Sequence, residues 1–248
     1  MRVLILNQFF HPDLSAVAQL ATDLAEDLVR AGHEVTVLAA RGGYLGGGRL
    51  PTRETWRGVR IVRVATTSFG KASIPRRLAD YASFYVSAMT HALLLERFDV
   101  VLATTAPPMI ASIGAVLKAV KGSALVYWLQ DVYPELAVTF GVARDGSPLV
   151  RAFEALSRAT LRRSDAIVTL GAAMAERIVR KGVEPGRVHV VPNWADGATI
   201  QPVPEDANGF RRRNGMVGKS VVLYSGNMGR GHDRSEERRV GKECIAVC

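Results

Sequence analysis

The chain predicts an α/β fold built on a doubly wound, Rossmann-like parallel sheet. Three observations carry that expectation. Short apolar, partly β-branched runs alternate with segments whose apolar residues recur at helical spacing. The first two runs and the helix pattern between them form a βαβ unit about 38 residues long. Polar loops, several bearing proline, follow the apolar runs, where an open α/β sheet keeps its ligands.

Bulk composition agrees with a packed globular domain. The 248 residues are 48% hydrophobic and 22% charged, enough to bury a sizeable core. The formal charge of +9 suits an anionic partner, whether nucleic acid, anionic membrane or a phosphorylated substrate, without choosing among them. The two cysteines, Cys244 and Cys248, both lie in the last five residues, so a disulfide framework is excluded for the body of the chain. The apolar opening is only a strand long and no apolar run reaches the length of a membrane span. A cytoplasmic protein is expected, with any membrane contact peripheral on the inner face.

Val3-Leu4-Ile5-Leu6 reads as the first buried strand, and residues 7–15 as a polar loop holding His11 and Asp13. Leu14, Val17, Leu20, Ala21, Leu24, Ala25 and Leu28 then line one face of a helix with Arg30 in its last turn and Gly32 as its stop. Val35-Thr36-Val37-Leu38 is the next strand. The five glycines of residues 41–50 read as a surface loop rather than a phosphate cradle, because no GxGxxG leads into a helix. Residues 55–64 alternate Trp56, Val59, Ile61 and Val64 with Arg57, Arg60 and Arg63, which predicts a hairpin or edge strand with a solvated basic face.

A helix is expected over 74–97. Lys71, Arg76 and Arg77 at its start, beside Tyr81, Phe84 and Tyr85, suit either an anionic membrane surface or a core helix with a basic end. A strand at 99–103, a helix at 109–120, a strand at 124–128, a helix at 150–163, a strand at 166–170, a helix at 172–181 and a strand at 188–191 complete this lobe. It closes at Asp196. Residues 197–218, with Pro202, Pro204 and a run of three arginines, read as a linker. Val221-Val222-Leu223-Tyr224 starts a further strand that ends in a glycine loop and opens a second lobe over 219–233. Residues 234–248 have no apolar period; they resemble one reading frame of a sequencing-library adapter and are expected to be a non-native tail.

The stretch Tyr127-Trp128-Leu129-Gln130-Asp131-Val132-Tyr133-Pro134-Glu135 organises the chemistry. An apolar strand turns abruptly polar and meets a proline, which sets Gln130, Asp131 and Glu135 where a site belongs. The competing reading makes Asp131 a helix cap. His33 follows a helix stop and reads as a turn residue, whereas His11 lies in the loop after the first strand. The arginines are scattered over several elements and form no motif, so nucleic acid is not an expected partner.

Five motifs in order carry a resemblance: Asn7-Gln8-Phe9-Phe10-His11-Pro12, Gly32-His33-Glu34-Val35-Thr36-Val37, Trp128 to Glu135, Val191-Pro192-Asn193-Trp194-Ala195-Asp196, and Tyr224-Ser225-Gly226-Asn227-Met228-Gly229-Arg230. Together they resemble glycosyltransferase family 4, in its bacterial WbuB-like group, over about residues 1–233. The resemblance implies the GT-B fold, with 1–196 as an acceptor-side Rossmann-like lobe. It implies retaining, metal-independent transfer of a hexose from a nucleotide sugar, with no cofactor or metal. The acceptor would be a lipid-linked saccharide or a polysaccharide, as in lipopolysaccharide and other envelope synthesis. Gln130 and Asp131 would be catalytic; His11, Asp13, Ser15, Glu135 and Asn193 would face the acceptor; Trp194 would lie with Asn193 near the hinge. Gly226, Asn227, Gly229 and Arg230 would hold the donor phosphates. Leu14-Ser15-Ala16 replaces the glycines that family members often carry after the first strand, and the family's later lysine and Glu-x7-Glu are not in place. The chain is thus expected to be a truncated enzyme, inactive alone. A catalytically inactive acceptor- or membrane-binding module is the alternative. A sugar-nucleotide epimerase would need a set of carboxylates and a histidine that the sequence does not show.

Overall fold

The computed structural model describes residues 1–43, 48–67, 69, 74–141, 143–197 and 200–222. The chain divides into two compact units, Met1–Trp194 and Ala195–Cys248. The first holds strands β1 (Arg2–Leu6), β2 (Glu34–Ala40), β3 (Arg53–Trp56), β4 (Val59–Val64), β5 (Val100–Ala103), β6 (Ala124–Trp128), β7 (Ala166–Thr169) and β8 (Val188–Val190). Its helices are α1 (Ala16–Arg30), α2 (Ile74–Leu94), α3 (Ala111–Lys121), α4 (Glu135–Thr139), α5 (Pro148–Arg163) and α6 (Ala172–Arg180).

The strands form one sheet in the order β3-β4-β2-β1-β5-β6-β7-β8, parallel except for the β3/β4 pair. Alternate residues of β1 go to opposite faces. Leu4 and Leu6 join the core beneath α2, α3, α5 and α6, with Phe84, Ile113, Leu125, Leu161 and Ile178. Val3 and Ile5 join the core beneath α1, with Ala21, Ala25, Val37 and Ile61. Helices on both faces bury both sides of each central strand, which is why the strands read as continuous apolar runs. α3 lies close on the sheet because Gly114 faces it: a Cβ there would come within 2.5 Å of Leu125 Cδ1. α5 starts where expected for local reasons, with Pro148 in its first turn and Ser147 Oγ accepting from Val150 N at 3.3 Å.

Several expectations are corrected. Residues 53–64 form a hairpin in which only β3 is at the edge, since β4 pairs in parallel with β2. Its basic face is not uniformly solvated: the Arg63 side chain is 1% exposed. α2 ends at Leu94, short of Arg97, and Phe84 is fully buried, so it belongs to the core and not to a membrane face. Asp131 caps no helix; the short helix α4 begins after Pro134. In the second unit the linker contains helix α7 (Gly209–Arg213), started by Asn208 Oδ1, which accepts from Phe210 N and Arg211 N, both at 3.1 Å. Val221 and Val222 lie in no strand, and residues 223–248, hence the glycine loop and the tail, fall outside the described residues.

Candidate active site

The parallel register sets Leu6 level with Leu38 and Ala103, Ala103 level with Tyr127, and Thr169 level with Val190. The loops that follow these residues therefore crowd one edge of the sheet. From β1 the chain winds outward through β2 and β4, then returns to β5 on the other side of β1. The strand order reverses between β1 and β5, the place where an open α/β sheet forms its ligand crevice.

Buried polar side chains line that crevice. Thr104 Oγ1 donates to Asn7 Oδ1 at 2.8 Å, and Asn7 Nδ2 donates to Phe9 O at 2.6 Å. Gln8 N donates to Ala106 O at 2.7 Å, while Ala40 N donates to Gln8 O at 2.8 Å, so β2 and the loop after β5 fix the Gln8 main chain from both sides. Thr105 Oγ1 accepts from Gln130 N at 3.3 Å and joins the β5 loop to the β6 loop. Packing these groups away from water is tolerable because nearly all are paired.

On the far side, the segment after β8 folds back over the end of β6. The Gln130 and Asn193 side chains exchange two amide hydrogen bonds, at 3.0 and 3.2 Å. Trp194 stacks on Trp128 with ring centroids 5.5 Å apart, and Trp194 Nε1 donates to Asp23 Oδ2 of α1 at 3.3 Å. Asp131, next to this cluster, makes no hydrogen bond or ion pair with the described residues. Burial alone raises its pKa above the ordinary value of 3.8. Tyr133 beside it is pushed up to about 12, by burial first and then by the Asp131 charge. A half-buried carboxylate with no cation against it among the described residues suits contact with a hydroxyl proton.

The third wall is the loop after β1. The His11 ring stacks on Trp56 at 3.9 Å, and Arg57 lies 4.7 Å over the Trp56 ring. Arg63 Nη2 donates to His11 O at 2.6 Å and to Glu54 Oε1 at 2.7 Å, so the hairpin holds the His11 main chain in place. The His11 pKa lies below 6.5. Burial is the largest cause; Glu54 pulls it up, and Arg63 and Arg57 push it down.

The residues singled out from sequence do not all meet. Gln130 and Asn193 are joined directly, and Asp131 adjoins them. His11, Asp13 and Ser15 share the loop after β1; Asp13 Oδ1 accepts from Ser15 N at 2.8 Å, and Ser15 precedes α1 without a side-chain cap bond. Glu135 is engaged elsewhere. Its carboxylate pairs with the buried Lys181 ammonium at 2.5 Å, which Glu154 also holds at 2.9 Å. Gly226, Asn227, Gly229 and Arg230 lie outside the described residues. Sequence reasoning missed Asp23, Thr104 and Thr105. The polar pair directly after the strand at 99–103 was a usable signal, whereas Asp23 is one acid among several on a helix.

A mostly parallel sheet with polar loops at the strand-order reversal is a Rossmann-like lobe, the architecture of each half of a GT-B protein. Solved structures agree in fold: sucrose-phosphate synthase from Thermosynechococcus elongatus superposes with a TM-score of 0.62 at 12% identity, covering 87% of this chain and 52% of that one. HepE from Anabaena, solved in complex with UDP and glucose, gives a TM-score of 0.55 at 16% identity over 87% of this chain and 50% of that one. The glycosyl transferase 4-like domain model matches residues 15–194, and the chain belongs to that family. Among curated relatives, a putative colanic acid biosynthesis glycosyl transferase, WcaI of Escherichia coli K12, is 26% identical over 244 residues, 92% of this chain and 59% of its own length. The probable glycosyltransferase WbjE of Pseudomonas aeruginosa is 27% identical over 157 residues, 63% of this chain and 39% of its own length. The chain thus spans between about two fifths and three fifths of the curated relatives it matches.

Proposed function

We propose that this chain carries the acceptor side of a retaining, metal-independent hexosyltransferase. It would pass a sugar from a nucleotide sugar to a lipid-linked or polysaccharide acceptor in envelope polysaccharide synthesis. The observation that carries the reading is Asp131, a half-buried carboxylate at the carboxyl edge with no partner among the described residues, beside the Gln130–Asn193 amide pair. Family membership and the colanic acid assignment of the Escherichia coli relative support it.

In this reading Asp131 and Gln130 orient an acceptor hydroxyl, with Asn193, His11, Asp13 and Ser15 around the saccharide. Glu135 holds their loop through Lys181 and does not touch the acceptor. The bond from the anomeric carbon to the diphosphate oxygen breaks and its electron pair leaves with the diphosphate. The acceptor oxygen bonds to that carbon on the same face, and its proton passes to the departing phosphate oxygen. Positioning of the acceptor and neutralisation of the leaving diphosphate supply the rate. The nucleotide sugar is a co-substrate and no cofactor is needed.

A lipid-linked acceptor favours work at the inner face of the cytoplasmic membrane. The outer face of α2 supports this, because Arg76 and Arg77 lead into exposed Leu78, Val86, Leu93 and Leu94. No described helix is long and apolar enough to cross a membrane. Sedimentation with anionic vesicles is expected to recover the chain and to lose Arg76→Glu/Arg77→Glu; equal, salt-insensitive recovery of both in the supernatant would rule out membrane binding through α2.

The direct test is transfer of labelled hexose by the full-length gene product from UDP-glucose, UDP-galactose and GDP-mannose to bacterial lipid extract. Product formation that survives EDTA and keeps the donor's anomeric configuration is expected. Asp131→Asn should slow it about 100-fold. No labelled product from any donor, with protein that remains folded, would overturn the proposal.

A further inference from the structure

The strap between β8 and the second unit is anchored by side chains. Val191 N donates to Thr169 O at 2.9 Å, and after it residues 192–194 make no main-chain hydrogen bond among the described residues. The second unit begins at Ala195. The polar and ring contacts of the strap go to the end of β6 and to α1. Asn193 exchanges its two amide bonds with Gln130, and the Trp194 ring lies nearly parallel to Trp128, with 8° between the planes. Trp128 is buried and stands two residues before Gln130. The edge of the Trp194 ring meets Asp23, whose Oδ2 accepts from Nε1. Asp23 is exposed on α1 and makes no ion pair among the described residues, so its charge strengthens the bond to the indole instead.

We propose that Asp23 and Trp194 are positioning residues: by fixing the strap over the end of β6 they set, through Asn193, the Gln130 carboxamide that adjoins Asp131. The inference rests on the glycosyltransferase reading and deepens it. A carboxamide at a half-exposed loop has several rotamers of similar energy, and water competes for each of its hydrogen bonds. Gln130 is held to one orientation only while Asn193, which both donates and accepts, stands opposite it. Asn193 in turn precedes a ring whose plane is fixed by Trp128 and whose edge is fixed by Asp23. Each contact is weak alone. Together they bring α1, β6 and the strap to one point, across separations of 63 and 171 residues in the chain. Displacing the strap releases Gln130, because no main-chain bond holds the strap once the side chains let go.

Geometry and turnover are tested separately. In the 248-residue chain, the side-chain amide signals of Gln130 and Asn193, assigned with Gln130→Glu and Asn193→Asp, report the pair in 15N-resolved spectra. Asp23→Ala, and Trp194→Phe, which keeps a ring but no N–H, should move both signals toward the position of a free carboxamide. Asp23→Asn, which keeps an acceptor, should leave them in place. Asp23 is exposed on a helix and alanine favours helix, so Asp23→Ala is expected to fold. In the full-length gene product, Asp23→Ala and Trp194→Phe should each lower kcat about tenfold with KM for the nucleotide sugar unchanged. The double variant should be no slower than either single one, and Asp23→Asn should recover the wild-type kcat. Unmoved amide signals in Asp23→Ala, whatever its melting temperature, overturn the inference and leave the glycosyltransferase reading standing. So does an unchanged kcat in variants whose signals move. Folded full-length wild type that transfers no hexose overturns both.

Discussion

At the residue scale, several groups of the crevice are held in uncomfortable states. Burial raises the Asp131 pKa, so at neutral pH the folded chain carries a charge that the unfolded chain solvates better. Asp131 therefore subtracts stability above its raised pKa, and the deficit shrinks as pH falls through that value toward 3.8. Asp131→Asn should melt higher than wild type at pH 7 and lose that advantage on acidification, even as transfer fails. His11 has the opposite dependence. Its folded pKa lies below 6.5, so the unfolded chain takes up the proton first and stability is lost as pH drops from 6.5 toward the folded value. His11→Phe, which keeps a ring for Trp56, should flatten this part of the stability profile by urea titration. Arg63→Met should cost about 3 kcal/mol, because it strands Glu54 and frees the His11 carbonyl. Arg63 also shows where sequence was misleading. Its alternation with Ile61 and Val64 implied a solvated face, but register at the sheet end brings it under the β1 loop, a contact 52 residues away in the chain. The place of Asp131 just past the end of β6 was legible because strand, polar switch and proline are local signals.

At the scale of elements, the β/α alternation was readable almost throughout, since apolar period is a short-range property. α4 was not, being five residues long and without a capping residue of the usual kind. It is held instead by Lys181, whose ammonium is pinned between Glu135 and Glu154 and so ties α4 to α5 and the end of α6. Lys181→Met should leave the sheet intact yet speed amide hydrogen exchange over 135–139, the segment that follows Asp131. Equal exchange in the two proteins would mean that the ion pairs do not hold this loop. Gly114→Ala is a cleaner test of packing. Alanine favours helix, but its Cβ would meet Leu125 Cδ1 at 2.5 Å and Val101 Cγ1 at 3.3 Å. A net loss of about 1 kcal/mol is expected in urea unfolding, against the gain that helix propensity alone would give.

At the scale of the molecule, strand order was beyond the sequence, because it depends on which strand returns beside β1. That return makes the crevice, and with it the meeting of Asn7, Gln8, Thr104 and Thr105 from loops nearly 100 residues apart. The resemblance to glycosyltransferases supplied the lobe before the topology did, and the topology explains why the motif segments after β1, β6 and β8 lie along one edge of the sheet. The most direct test of the central claim, that the carboxyl edge is a saccharide acceptor site, uses the three tryptophans as reporters. Trp128 and Trp194 stack beside Gln130 and Asn193, while Trp56 stacks on His11 across the crevice. Three indole N–H signals are therefore available in a 15N-resolved spectrum, assignable by single Trp→Phe variants. Titration with a lipid-free oligosaccharide released from envelope polysaccharide should shift the Trp194 signal and at least one of the other two, saturably and less in Gln130→Ala. Saturable binding that leaves all three indole signals unmoved would put the acceptor elsewhere and contradict the claim.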